Sequence, residues 1–151
     1  MKDLLILSIY KIIKKPYLLM FKKNPAWDLT IQDYLNYSED SLGFHLGNFL
    51  VQSNLEIQPQ LEDHDIHHVL TNIGITVLDE IDMQFYLWGN GRKTPSSFTG
   101  ILAGLLFYPL HFKRFNSIYK KGKQAHRFYD LDFSKMLSQP IQTIQFAFNI
   151  K

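Results

Sequence analysis

Leu61-Glu62-Asp63-His64-Asp65-Ile66-His67-His68-Val69-Leu70-Thr71-Asn72-Ile73 reads as one amphipathic helix, running from about Gln60 to Thr71. Ile66, Val69, Leu70 and Ile73 recur at helical spacing and form its apolar stripe. His64 and His68 stand one turn apart on the opposite face, with Asp65 on their flank. Asn72-Ile73-Gly74 is a stop signal. His67 points away from the histidine pair and reads as a surface residue.

Eleven residues separate His68 from Glu80. Thr76, with Asp79 three positions on, opens the next helix through a short capping box. That helix buries Val77, Ile81, Phe85 and Trp88. Glu80 borders this stripe, whereas Asp79 and Asp82 point away from it. A tight turn at Gly74 would carry Glu80 back toward the histidines.

Outward from this pair, the punctuation is that of helices joined by short links. Lys2–Lys15 reads as a first helix stopped near Pro16. Asn24-Pro25 offers an N-cap followed by proline at the first helical position, with Trp27, Ile31, Tyr34 and Leu35 at helical spacing after it. Leu42, Leu46, Phe49 and Leu50 form another stripe, ending near Asn54. Gln58-Pro59-Gln60 is a link and Gly89-Asn90-Gly91 a turn. Thr94-Pro95 opens a helix rich in Phe, Ile and Leu, with Gly100 and Gly104 one turn apart. Phe112–Lys123 is basic, and Ile141–Ile150 fits either helix or strand. The expected fold is all-α: one domain over residues 1–151, a bundle of about six to eight helices whose residues 1–23 form a basic amphipathic helix.

The net charge of +2 conceals segregation. Residues 1–23 carry six Lys and one Asp, residues 24–91 eleven Asp/Glu and no Lys or Arg, and residues 92–151 ten Lys/Arg and two Asp. The histidine motif lies in the acidic part, which suits cations. The basic flanks suit anionic surfaces. Nucleic acid is not an expected partner, because no recognised module is present and the acidic middle repels phosphate. The absence of cysteine excludes disulfides, thiolate metal sites and a cysteine nucleophile. No run of 18 apolar residues reads as a transmembrane helix, and the N-terminus lacks a cleavage site of secretory type.

Two imidazoles and two carboxylates suit a divalent metal with positions left for water or substrate. The expected ligands are His64, His68 and Glu80, with Asp65 either a fourth ligand or the group that orients an imidazole. Zinc is the foremost candidate, with iron, manganese or magnesium behind it. The zinc-protease helix motif differs in having Glu where this chain has Asp65. Polar-face histidines with no chemical task are the plain alternative.

His64-Asp65-x-x-His68, eleven residues and Glu80 together resemble the signature of the coenzyme Q (ubiquinone) biosynthesis protein 4 family. Ser41-Leu42-Gly43, His68-Val69-Leu70-Thr71, Gly122 and the C-terminal Ile150 resemble further elements of its pattern. Asp79 departs from it, since the family usually has Gly there. Ile118-Tyr119-Lys120-Lys121 departs as well. The resemblance implies an all-helical, membrane-peripheral protein, on the cytoplasmic face in a bacterium, that binds a metal and a polyprenylated quinone precursor or another isoprenoid lipid. It further implies association with other quinone-biosynthesis proteins and a link to oxidative decarboxylation of the ring; a homodimer is an assembly to consider apart from the resemblance. Phe98, Ile101 and Leu105 are the expected wall of an apolar lipid groove, and Lys113–Arg127 the segment that would meet headgroups. A non-catalytic lipid-binding scaffold is the alternative reading.

Overall fold

A computed structural model describes residues 26–151 of the chain. The basic helix expected over residues 1–23 and the Asn24-Pro25 cap lie outside the described residues. Among those described, seven α-helices follow one another: α1 (Ile31–Leu35), α2 (Leu42–Gln52), α3 (Glu62–Thr71), α4 (Val77–Gly89), α5 (Pro95–Phe107), α6 (Phe112–Gln124) and α7 (Ile141–Ala147). Short 3-10 turns at Pro109–His111 and Phe133–Met136 join them. No strand or sheet is present among these residues. A single antiparallel bridge pairs Ser41 with Pro140. The expected all-α bundle is what the sequence builds, and the segment read as helix or strand is the helix α7. Among the described residues no helix is long and apolar enough to cross a membrane.

Local chemistry explains most boundaries. Thr30, Ser41, Thr76 and Thr94 each accept a hydrogen bond from the backbone N–H three residues on. This satisfies one of the donors that every helix start leaves open. Thr30 and Thr76 complete capping boxes with Asp33 and Asp79. α3 ends because Asn72 turns left-handed, with φ of 54°. Asparagine tolerates that conformation better than most residues. The first described helix is shorter than expected: Asp28 has φ of 52°, so Trp27 stands outside α1, and Thr30 is the cap.

The core is one large cluster. Tyr34, Leu42, Leu46 and Leu50 from α1 and α2 meet Ile66 and Leu70 from α3, Met83 and Leu87 from α4, and Phe128 and Phe133 from the segment after α6. Fully burying such side chains contributes roughly 1.5–3 kcal/mol each. A second, smaller cluster joins Ile81, Phe85 and Phe115, with the Phe85 and Phe115 rings stacked 4.7 Å apart.

Two polar devices fix the frame around α4. Asn90 is buried at its C-terminus. Its amide donates to the carbonyls of Gly122, Ala125 and His126, and its oxygen accepts from the N–H groups of Phe128 and Tyr129. At the other end of α4, Arg114 of α6 donates to Asp82 at 2.6 Å and to Asp79 at 2.7 Å. The Asp82 side chain is only 2 % exposed. The sequence reading, which pointed Asp82 away from the packed face, is corrected: the carboxylate is buried against Arg114.

Candidate metal centre

α3 and α4 follow one another through the turn Asn72 to Thr76, which brings Glu80 to His64 and His68. Among the described residues one group of histidine and carboxylate donors closes to metal-binding distances. It comprises His64, His68 and Glu80, whose donor atoms all lie within 4.8 Å of one another. His68 Nε2 is 3.2 Å from His64 Nε2 and 3.4 Å from Glu80 Oε1, and His64 Nε2 is 3.3 Å from Glu80 Oε2. Thr76 and Asp79 position the carboxylate, because their capping box sets where the first turn of α4 begins.

His68 is held from two sides. Its Nδ1 lies 3.0 Å from the Ile73 carbonyl oxygen, and its ring stacks on Phe49 with centroids 5.9 Å apart. A proton on Nδ1, donated to Ile73, leaves the Nε2 lone pair aimed at the cluster, the usual way a second partner fixes a ligand's tautomer. Sequence reasoning did not find the Ile73 carbonyl, since a backbone acceptor leaves no mark on residue type. It also did not find Phe49, which it read only as a core residue.

The donor set fits a divalent ion. Two donors at about 2.1 Å from one ion stand about 3.4 Å apart in tetrahedral and about 3.0 Å apart in octahedral geometry. The His64–His68 separation of 3.2 Å falls in that interval, while the two imidazoles face different oxygens of one carboxylate, His68 at 3.4 Å from Glu80 Oε1 and His64 at 3.3 Å from Glu80 Oε2. Glu80 Oε2 is buried and makes no well-formed hydrogen bond, its ion-pair partner being His64 Nε2 at 3.3 Å, and a cation would satisfy such an atom. Burial pushes the Glu80 carboxyl up, but the two neighbouring imidazoles hold it well below the usual carboxylate range. Burial likewise lowers His68, yet Glu80, the Ile73 carbonyl and Asp65 together raise it. The pocket therefore favours a carboxylate and positive charge beside it.

The other predicted residues fall elsewhere. Asp65 does not join the three-residue group, although its charge reaches His68. His67, read as a surface residue, is instead 3 % exposed and sits against the rings of Phe128 and Phe133. α3 packs on two sides, and its second neighbour comes from the distant segment after α6. Phe98 and Leu105 of α5 are exposed, whereas Ile101 packs inward on the cluster of Ile81, Phe85 and Phe115, so the three do not share one surface. Arg114, read as part of a headgroup-facing basic stretch, braces Asp79 and Asp82 on either side of Glu80.

The sequence matches no protein-family model and no curated protein. The fold is similar to a crystal structure from Nostoc punctiforme of a protein provisionally assigned to ubiquinone biosynthesis. The TM-score is 0.65 at 18 % identity, over 99 % of this chain and 81 % of that one. At this identity the likeness defines a shared fold.

Proposed function

We propose that this protein serves ubiquinone biosynthesis at a membrane surface, holding a divalent metal on His64, His68 and Glu80 and binding a polyprenylated quinone precursor with its ring at that centre. The observation that carries the reading is the convergence of His64, His68 and Glu80, whose donor atoms lie within 4.8 Å of one another. The fold shared with the Nostoc protein supports the pathway. When bound, a metal with three protein ligands supplies Lewis acidity to a ring oxygen or carboxylate. In this arrangement Ile73 keeps His68 in the tautomer that offers Nε2, Asp65 adds negative charge beside the imidazoles, and Arg114 fixes the first turn of α4 from which Glu80 projects. Loss of the ring carboxylate as carbon dioxide, with an external oxidant such as dioxygen taking up the two electrons, is the reaction this reading selects, and other quinone-biosynthesis proteins are its expected partners.

A second reading is a non-catalytic scaffold binding isoprenoid lipid, in which the same three side chains serve as an ion-paired polar cluster, the Glu80 carboxylate lying 3.3 Å from His64 Nε2 and 3.4 Å from His68 Nε2. Elemental analysis of untagged protein separates the two, followed by assay on a prenylated hydroxybenzoate. About one equivalent of zinc, iron or manganese, lost in His64→Ala/His68→Ala, together with turnover, is expected. A folded wild type that takes up no metal after reconstitution would leave only the scaffold reading.

A further inference from the structure

We propose that the outward face of α5, with the chain that follows it to Phe112, is the surface that seats on an anionic lipid bilayer. This deepens the membrane part of the functional reading and rests on it.

The packing of α5 is satisfied by its other side. A Cβ at Gly104 would lie 2.5 Å from Ile81 and one at Gly100 2.6 Å from Gln84, so the glycine face is the one pressed on α4. Ile101 turns to the same side. Phe98, Leu102, Leu105 and Leu106 fall on the opposite face at i, i+4, i+7 and i+8, and all four are exposed. The apolar run continues through Leu110, which is 96 % exposed, and Phe112 at 58 %. Isolated exposed apolar residues are ordinary on a protein surface, but six within fifteen consecutive positions make a patch of the kind that marks an interaction site.

Charge selects the occupant. From Met83 to Tyr129 the chain has no Asp or Glu and carries eight Lys/Arg, of which Arg114 is paired with Asp79 and Asp82 and Arg127 with Asp130. The patch itself is bounded by Lys93 and Lys113, with neither Lys nor Arg between them. Lys93 Nζ lies 4.0 Å from the Trp88 ring centroid, and Trp88 stands 6.4 Å from Phe98. Tryptophan beside lysine at the rim of an apolar face is the arrangement found where protein meets headgroups. A second copy docking through this face would offer Lys93 and Lys113 no Asp or Glu between Met83 and Tyr129 to meet, whereas an anionic bilayer complements both the apolar face and the two lysines that bound it. With 13 residues, α5 cannot span, so the seating is in the interface plane.

The test uses the full chain and vesicles of phosphatidylcholine alone or mixed equally with phosphatidylglycerol. Cosedimentation is compared for the unaltered protein, Leu106→Glu/Phe112→Glu, and the control Val51→Glu/Phe146→Glu, which alters exposed apolar residues elsewhere. The unaltered chain and the control are expected to bind the anionic vesicles, and the α5 variant to partition at least about tenfold more weakly. With Trp27 replaced by Phe in all three proteins, Trp88 fluorescence should be quenched by acyl-brominated lipid in the first two only. Undiminished binding of the α5 variant would overturn the assignment and leave membrane association standing. No binding by the unaltered chain would defeat the membrane reading itself. A dimer in light scattering that the α5 variant alone converts to monomer would make a second copy the occupant and overturn the proposal.

Discussion

Gly89 of α4 and Gly122 of α6 meet at one helix crossing, each pressed on the other helix's backbone. A Cβ on Gly122 would fall 2.0 Å from the Tyr86 carbonyl oxygen, and one on Gly89 would fall 2.2 Å from that of Tyr119. No side-chain rotation relieves either contact, so the helices would have to separate. Gly122→Ala is expected to cost about 3 kcal/mol, at the upper end for overpacking. For a chain of this size that lowers Tm by on the order of 10 °C. Thermal unfolding followed by circular dichroism measures it, and an unchanged Tm would show that the crossing is looser than described.

The buried Asp82 depends on Arg114 for its charge. Arg114→Met should destabilise by about 3 kcal/mol, because the carboxylate is then left buried and unpaired. Adding Asp82→Asn removes the stranded charge and should recover much of the loss. Urea unfolding of the two variants tests this, and a double variant no more stable than the single one would contradict it.

For the metal-free protein the cluster sets a pH window. His68 is raised in the folded state, so its contribution is complete below the unfolded histidine value of about 6.5 and disappears as pH rises through the folded value. Glu80 is depressed, so its contribution is present above the unfolded glutamate value and is lost as pH falls through the folded one. Urea midpoints should therefore be highest between about pH 4.5 and 6.5 and decline above it, with the decline absent in Glu80→Gln. A wild-type midpoint that climbs from pH 6 to 8 would contradict the sign. With one equivalent of zinc the slope should reverse, because binding the metal displaces protons from the imidazoles.

Asn90 serves five backbone partners at once. Asn90→Ala strands several buried polar groups, and the expected cost is about 2–3 kcal/mol. Amide hydrogen exchange at Phe128 and Tyr129 should speed up more than exchange in α2. Uniform protection across the chain would show that the asparagine is dispensable.

Much of the α3–turn–α4 segment was legible because it is local. The stripe of Ile66, Val69 and Leu70, the stop at Asn72 and the Thr76–Asp79 box lie within a few turns, and together they bring Glu80 to His64 and His68. The misreadings share one cause. His67 meets Phe128 and Phe133, and Asp82 meets Arg114 thirty-two positions away. A helical wheel with a single apolar stripe assumes one neighbour, whereas α3 and α4 each have packing partners from remote sequence. Trp27 was assigned to a helix on the Asn24-Pro25 signal, although Thr30-Ile31-Gln32-Asp33 carries the same capping pattern as Thr76-Val77-Leu78-Asp79 and marks the true start. The orientation of α5 was not legible, because glycines and large apolar residues both occur around the helix and only the packing decides which side faces in.

The bridge between Ser41 and Pro140 also governs how the molecule comes together in time. Leu42 and Gly43 donate to the carbonyls of Gln139 and Leu137, and Ile141 donates to that of Asp40. About four-fifths of the described chain lies inside the loop these contacts close. The helical hairpins within it are short-range and assemble quickly, whereas the closure must pay for a loop of about a hundred residues before it returns any contact. The seam is therefore a late event in folding. Substitutions there, such as Ser41→Ala, should act on the unfolding rate far more than on the folding rate.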